Sequence, residues 1–493
     1  MGPHLSVVKG LDPHAAQSCV VRISRNLFKR QVSTAMAFHT VGNYTFQWTD
    51  LHLPREKTDP LRHEYDTLGH DAVKKLQQIA RELKGDAAVK PTLCPGGFDM
   101  YAVLRDHHTE DETLDRLWKE VHMVPEWVDW EQIERGQKFF YRYAAANMVG
   151  FLLQAFFGEN SAAPGVIEVL MRTGGFSPKV LVRRLLETFQ HLLQVTSSLE
   201  SIQPGGQGHT TTIRVRLLHS AVRERILRLV ETRDDYFDVA TYGVPVNVLD
   251  SIHSITTYSC NPMWFQLPQM GVFPTEQEKQ DYIALFRYVG YLLATPTEYF
   301  ASVAQAKATM ESLLLHERSV TANSLIIGHN LMETVKDMAP FHISEGFIEA
   351  GSRVLNGDAL SDSLGLGRPG MLAYACWKGH CWFVRVLALA QRWIPGADEA
   401  AVRYFRMTLY DAIVNSRKGL GGRLSKMDFK YVPEMNKMTK REGSGRGLFA
   451  GSFVERPVET FYLAVFVVGV VFWIGIVSLI GRGLMRLLKL CVI

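Results

Sequence analysis

Apolar residues recur at spacings of three and four along much of this chain, which predicts amphipathic α-helices. The clearest helical periods span 70–84, 179–195, 210–231, 277–315 and 380–393. A further apolar run at 139–157 is interrupted by polar residues, so we interpret it as a buried core helix rather than a membrane span. Alternating strand patterns are not convincing anywhere. The sequence therefore predicts an all-α fold.

The C-terminal region holds one long stretch without charge. Between Glu459 and Arg482 lie 22 uncharged residues, most of them apolar. As a helix they extend over about 33 Å, enough to cross a hydrocarbon layer. Basic residues lie on both sides, so the positive-inside rule gives no orientation. We expect a single-pass membrane protein, anchored by its tail with the main domain in the cytosol.

The membrane is expected to be that of the endoplasmic reticulum, with a mitochondrial membrane as the alternative. That alternative rests on residues 1–49, which contain five basic residues and one acidic residue, a balance that suits a transit peptide. A plain N-terminal extension explains the same composition. The sequence alone does not separate these readings.

Charge and composition narrow the class of protein. The chain has 493 residues, a net charge of +4 and 47% hydrophobic residues, which allows a large core and gives no sign of a nucleic-acid surface. Its six cysteines are scattered without a CxxC pair, so neither a disulfide framework nor a zinc ribbon is indicated. We predict five parts: an N-terminal extension (1–55), one large helical domain (56–435), a basic linker (436–457), a transmembrane helix (458–481) and a basic tail (482–493).

Two neighbouring helical segments carry candidate chemistry. Arg184 and Thr188 lie one turn apart at the edge of the apolar face of 179–195. Such a pair can bind an anionic cofactor group or a bound oxygen species, or it can be a snorkelling arginine with a threonine bonded to its own helix. His219 falls on the apolar stripe of 210–231. A neutral imidazole there can ligate iron, or be a core histidine bonded to a carbonyl oxygen.

Other catalytic motifs are missing from the sequence. It has no Walker A loop, no GxSxG elbow and no HExxH helix. His108, Glu110 and His122 offer the residue types of a two-histidine, one-carboxylate iron site. Their stretch is strongly charged, so we interpret it as a solvated loop.

The order and spacing of several segments resemble the latex-clearing protein (rubber oxygenase) family, with its MpaB-like membrane-bound oxygenases. The likeness covers roughly residues 60–435. It is carried by Arg184-x3-Thr188, by Val215-Arg-x-x-His219-x-x-Val222-Arg, by Gly243-Val-Pro-Val-Asn247-x-x-Asp250, and by the block that begins at Arg353-Val-Leu-Asn-Gly357.

The resemblance implies a helical domain that encloses one haem b, with His219 as the proximal iron ligand. It implies that Arg184 and Thr188 lie near the haem and that Glu168 acts as a base. Dioxygen would cleave a C=C bond in a lipophilic, isoprenoid or prenylated substrate. One position departs from the family: rubber oxygenases carry a lysine just before the threonine, as a distal iron ligand, and this chain has Glu187.

Two rival functions use the same sequence features. The chain can be a non-catalytic haem- or lipid-binding membrane protein of the same fold, in which Glu187 marks lost oxygen chemistry. It can also be a membrane-tethered helical scaffold without a cofactor. An absorbance spectrum and an oxygen-consumption assay separate the three functions.

Overall fold

The protein is described here by a computed structural model, which describes residues 37–83, 99–174, 178–336, 342–427 and 456–491. These residues are overwhelmingly helical, as predicted. The α-helices are α1 (Arg55–Thr58), α2 (Thr67–Leu83), α3 (Met100–His107), α4 (Glu112–His122), α5 (Trp130–Arg142), α6 (Ala144–Gly150), α7 (Pro164–Thr173), α8 (Pro178–Thr196), α9 (Leu199–Ile202), α10 (Gln207–Thr232), α11 (Val239–Tyr242), α12 (Val248–Asn261), α13 (Leu267–Met270), α14 (Glu276–Leu292), α15 (Val303–His316), α16 (Ala322–Val335), α17 (Glu345–Asn356), α18 (Asp358–Ser363), α19 (Met371–Trp393), α20 (Ala397–Tyr410) and α21 (Pro457–Cys491).

Shorter and irregular elements connect these helices. π-Helical turns occupy Phe151–Asn160, Pro262–Gln266 and Asp411–Asn415, and 3₁₀ turns occupy Asp59–His63, His108–Glu110, Asp234–Tyr236 and Glu298–Phe300. Strands β1 (Phe38–Val41) and β2 (Tyr44–Gln47) form an antiparallel hairpin in which Phe38 pairs with Gln47.

The hairpin belongs to the body of the protein. We predicted residues 1–55 as an extension, but the hydroxyl of Tyr44 donates to Oε1 of Glu311 at 2.6 Å, and Nε2 of His52 lies 3.0 Å from Oε2 of the same carboxylate. Glu311 on α15 therefore fixes both the hairpin and the segment that follows it. The rest of the predicted extension, residues 1–36, lies outside the described residues.

One predicted helix was wrong in its length. The period at 277–315 corresponds to α14 and α15, which are separated by residues 293–302. Ala294 breaks α14 with a φ of 59°, and Pro296 cannot donate the backbone hydrogen bond that a continuing helix needs. The side chain of Ser302 then accepts from the backbone N–H of Gln305 and starts α15.

Helix α10 lies between two hydrophobic cores. The larger core is built around α5, α6, α8, α12 and α14, and the smaller one around α2, α3 and α4. Ile213, Leu217 and Ala221 of α10 are fully buried in the smaller core. The opposite side of α10 faces α8, and the candidate site lies between these two helices.

The beginning of the last helix, α21, packs on the main domain. Residues 457–482 of α21 are long and apolar enough to cross a membrane, and none of that stretch is buried. Near the beginning of α21, Glu459 accepts a hydrogen bond of 3.0 Å from the hydroxyl of Ser344. Gly379 of α19 lies against the backbone of Tyr462, so closely that a Cβ there would collide with it. Most of the predicted linker at 436–457 lies outside the described residues.

Candidate active site

A cavity of about 320 Å³ lies between α7, α8, α10, α12 and α14. Its volume falls in the range of small-molecule and cofactor sites. The wall is mostly apolar, with contributions from Leu170, Leu185, Leu192, Leu218, Val222 and Phe286. Polar side chains reach the cavity at a few points, among them Arg184, Thr188 and His219. The structure thus brings together three of the four residues that the sequence singled out.

His219 is placed on the cavity wall by the register of α10. Val215, Leu218 and Val222 of the same helix line the cavity beside it, as the spacing predicted. The ring lies deep in the protein, and burial, helped by the positive charge of Arg223, lowers its pKa to about 4. His219 is therefore neutral at physiological pH, and its ring has no hydrogen-bond partner within the part of the chain that the structure describes. The alternative of a core histidine bonded to a carbonyl oxygen does not describe this geometry.

Two arginines of the His219 motif hold the helix in place. Arg216 forms a paired interaction with Asp66, at 2.7 and 2.8 Å, and also contacts Glu120. Arg223 donates to the carbonyl oxygens of Pro245 and Val246, at 3.1 and 2.6 Å. Because these groups are buried and charged, their pairing strongly restricts the rotation of α10.

A second imidazole reaches the cavity from α8. Nε2 of His191 lies 2.9 Å from Oγ1 of Thr212, whose hydroxyl donates to the carbonyl oxygen of Gly208 at 2.7 Å. The threonine oxygen therefore accepts from His191, which places the proton of that ring on Nε2. Burial lowers the pKa of His191 to about 4. The sequence analysis did not single out this residue.

Arg184 reaches the cavity as a poorly compensated cation. Burial lowers its pKa, and the nearest carboxylate, that of Glu187, is 3.6 Å away. Glu187 is shared, because it also contacts Arg183 at 3.0 Å and accepts from the hydroxyl of Ser425 at 2.7 Å. Thr188 donates to the carbonyl oxygen of Arg184 at 3.1 Å, the bond to its own helix that we had considered.

The segment around Ser425 closes this side of the cavity. The backbone N–H of Ser425 donates to Oε1 of Gln190, and Nε2 of Gln190 donates back to the carbonyl oxygen of Ser425, at 2.8 and 3.0 Å. Met427, two residues further, lines the cavity. Residues near 425, far along the chain from the helices of the cavity, therefore form part of the wall.

Glu168 does not reach the cavity, contrary to the role that we assigned to it. Its Oε1 accepts from Nδ2 of Asn323 at 2.5 Å, and its Oε2 pairs with Arg172 at 3.2 Å. Neighbours of Glu168 on α7, such as Val169 and Leu170, line the cavity instead. The spacing of sixteen residues between Glu168 and Arg184 did not reveal which side of α7 the carboxylate occupies.

Two carboxylates line the cavity among the described residues, Glu187 and Asp250, and Asp250 has no arginine beside it in an ion pair. It lies in the first turn of α12, where it and Asn247 form a reciprocal capping box. Its Oδ2 accepts only a long bond of 3.3 Å from the backbone N–H of Asn247. Burial raises its pKa to about 6. Asp250 is part of a motif that we used for the resemblance, but its position on the wall was not predicted.

The rival iron site is not assembled. The rings of His108 and His122 both pack on the indole of Trp118, with centroid distances of 4.7 and 3.9 Å. Glu110 pairs with His107 instead. Within the described ranges, no group of three or more histidine, cysteine, aspartate or glutamate side chains is arranged to hold a metal ion.

Comparison with known proteins identifies the class. The profile of the family described as "ER-bound oxygenase mpaB/B'/Rubber oxygenase, catalytic domain" matches residues 140–386, half of the chain. The chain therefore belongs to this family of oxygenases. All of the cavity-lining residues except Met427 fall inside the matched range.

A solved structure has a similar fold. The structure described as "Structure of Latex Clearing Protein LCP in the closed state" is similar to this chain with a TM-score of 0.53 at 18% sequence identity. The alignment covers 70% of this chain and 91% of that one. No curated protein matches the sequence.

Proposed function

We propose that this protein is a membrane-anchored oxygenase that depends on haem b and uses dioxygen to cleave a C=C bond in a lipophilic, isoprenoid or prenylated substrate. The observation that carries the proposal is His219. It is a neutral imidazole without a partner among the described residues, and it lies on the wall of an apolar cavity in a chain of an oxygenase family.

The residues of the cavity fit a haem. His219 would hold the iron, because a neutral imidazole nitrogen is a common axial ligand. Arg184 would bind a propionate, since the buried guanidinium has only a shared carboxylate at 3.6 Å. The haem, when bound, supplies the activation of dioxygen. A single protein ligand suffices for this cofactor, so a site of three clustered metal ligands is not required.

Asp250 would handle protons in the cavity. With a pKa raised to about 6 by burial, its carboxylate is largely ionised at neutral pH and can accept a proton at Oδ1 or Oδ2. A base is most effective when its pKa lies close to the working pH. We assign this role to Asp250 instead of Glu168. Thr188 would orient a bound group with the lone pairs of its hydroxyl oxygen.

The membrane anchor suits a lipophilic substrate. An isoprenoid chain partitions into the bilayer, so a catalytic domain (56–435) tethered by a span at 458–481 meets its substrate there. We propose the endoplasmic reticulum as the membrane, with the main domain on the cytosolic side. The unburied apolar helix at 457–482 supports an anchor, and the family description, which names ER-bound oxygenases, supports the choice of membrane.

A pyridine haemochrome assay on the full chain in detergent tests the cofactor, and oxygen uptake with a panel of farnesylated phenols tests the activity. We expect one haem b per chain and substrate-dependent oxygen consumption, with carbonyl products. Protein reconstituted with haem that shows no Soret band would end the proposal. Bound haem without oxygen consumption for any prenylated substrate would favour the non-catalytic alternative.

A further inference from the structure

The face of α19 that packs on the anchor helix continues as an exposed apolar stripe. The indole of Trp382 lies 5.3 Å from the ring of Phe466, and a Cβ at Gly469 would collide with that indole. Residues 386, 389 and 393 follow at spacings of four, three and four, so they lie on the same face as residue 382. Val386, Leu389 and Trp393 are 64%, 55% and 77% exposed.

The two helices run in the same direction. Gly379 lies against Tyr462, and Trp382 lies against Phe466, so the contacts advance together along both helices. Beyond residue 470 the described side chains of α21 are exposed, apart from a half-buried Ile476. The end of α19 at Trp393 lies 11 residues beyond Trp382, about 16 Å further along the helix. The C-terminal end of α19 therefore points in the direction in which α21 extends away from the main domain.

Exposed apolar residues also occur in the turn after α19 and along α20. Ile394 in the turn and Tyr404 and Met407 on α20 are all more than half exposed. A short turn at 394–396 joins α19 to α20. We call Ile394, Tyr404 and Met407, together with Val386, Leu389 and Trp393, the α19–α20 corner. Apolar groups gathered in this way on a protein surface usually mark a site of interaction.

The charges around the corner suit a lipid surface. The segment 371–410 has five basic and two acidic residues, and the acidic Asp398 is paired with Arg142. Arg385, Arg392 and Arg403 are exposed. A tryptophan at the tip with arginines around it is the composition of segments that lie at the boundary between acyl chains and anionic headgroups.

We infer that the α19–α20 corner inserts into the same bilayer that α21 spans, which gives the catalytic body a second membrane contact. This inference rests on the proposed membrane anchor. Its occupant is the lipid bilayer, because the corner continues the surface of α19 that packs on the span and points in the same direction.

Labels on single cysteines of the full chain test this inference. Cys260, Cys376 and Cys381 are buried and stay unlabelled, and the other three cysteines are replaced by serine (C19S, C94S, C491S). Into this background we introduce Trp393→Cys at the corner and Ile474→Cys within the span. The matched control is Met123→Cys at the end of α4, beside the smaller hydrophobic core, since Met123 is 58% exposed. Each variant is labelled with the environment-sensitive dye NBD and reconstituted in phosphatidylcholine–phosphatidylserine vesicles.

The expected result is blue-shifted emission at positions 393 and 474, several times stronger than at position 123, with quenching by nitroxide-labelled lipids. A label at 474 in lipid and a label at 393 in water would overturn the inference and leave the anchor intact. Labels at both positions in water would overturn the anchor as well. A label at 393 that is shielded from water but not quenched by the lipids would also overturn it, in favour of contact with a second copy of the chain.

Discussion

His191 and Thr212 are joined by a hydrogen bond of 2.9 Å between Nε2 and Oγ1, and this bond distinguishes the two imidazoles of the cavity. Because the threonine hydroxyl already donates to the carbonyl oxygen of Gly208, His191 must donate through Nε2. Its ring is therefore held by a bond to α10. The ring of His219 forms no such bond with the residues that the structure describes, so both of its nitrogens are open, whereas His191 has only Nδ1 open. The proposed function therefore assigns the iron to His219.

The first prediction follows from this difference. His219→Ala removes the proposed iron ligand, and haem affinity should fall by more than about tenfold, since even partners that only orient a ligand are worth 10–100-fold. His191→Ala, the matched control, should keep most of the haem. The measurement is a titration with haem followed at the Soret band. Equal losses in the two variants would contradict the assignment of His219.

A second pair of variants tests the role of Arg184. Arg184→Gln should weaken haem binding about 10- to 100-fold, because a hydrogen bond to a charged group contributes roughly 1.5–3 kcal/mol. Arg183→Gln is the control: it contacts the same carboxylate of Glu187, but its side chain is 52% exposed. Exposed ion pairs contribute little, so its haem affinity should stay close to that of the native chain. Similar losses of haem affinity in the two variants would mean that both act through the carboxylate of Glu187, and that Arg184 does not bind a propionate.

The third prediction concerns the base. Asp250→Asn should lower kcat/KM by about a hundredfold or more, the usual contribution of general base catalysis, without loss of haem. Glu168→Gln should change kcat/KM little, because Glu168 pairs with Arg172 and Asn323 outside the cavity. The native rate should rise with pH through about 6, because burial raises the pKa of Asp250 to about 6 and only the ionised form accepts a proton. A flat pH profile would refute the role.

The same carboxylate should make stability depend on pH. Burial raises the pKa of Asp250 from 3.8 to about 6, so the folded state holds a proton that the unfolded state releases between these values. The contribution of Asp250 to the free energy of unfolding is therefore greatest below about pH 4. About 3 kcal/mol of this contribution is lost as the pH rises through 6. In detergent, the Tm of Asp250→Asn should exceed the native Tm by a margin that grows between pH 4 and 7. A difference in Tm that does not change with pH would show that the carboxyl group of Asp250 is not protonated in the folded state below about pH 6.

A fifth prediction tests the docking of the anchor helix. Gly379→Ala places a Cβ against the backbone of Tyr462, where no flexible side chain can move aside, and such overpacking costs about 1–3 kcal/mol. Gly475→Ala, further along α21, meets nothing within 4 Å and should leave stability unchanged. Thermal melting of the full chain in detergent measures both. If Gly379→Ala melts like the native chain, the contact between α19 and α21 is not as close as described.

Local periodicity was enough to predict most of the long helices and two faces of the site. Apolar spacing placed His219 on a stripe with Val215 and Val222, and it separated Arg184 from the outward Arg183. The same signal did not reveal the break at Ala294, because apolar spacing does not report a residue with a positive φ. The hairpin at 38–47 was missed because each of its strands has only four residues.

The proton-handling group could not be predicted in the same way. Glu168 and Asp250 each lie near the start or middle of a helix, and only tertiary packing turns one carboxylate towards Asn323 and the other towards the cavity. The direction of α21 relative to α19 is likewise a long-range property, since 63 residues separate the two helices. Sequence spacing carries no information on such contacts.

Ser425 has a practical consequence for any version of this protein that lacks α21. Because Ser425 bonds to Glu187 and Gln190, and Met427 completes the wall, a chain cut before residue 424 would let water into the cavity on the Arg184 side. A shortened version must therefore be cut after residue 427. If such a shortened version fails to bind haem, the cause would then be the incomplete wall of the cavity and not the absence of a membrane.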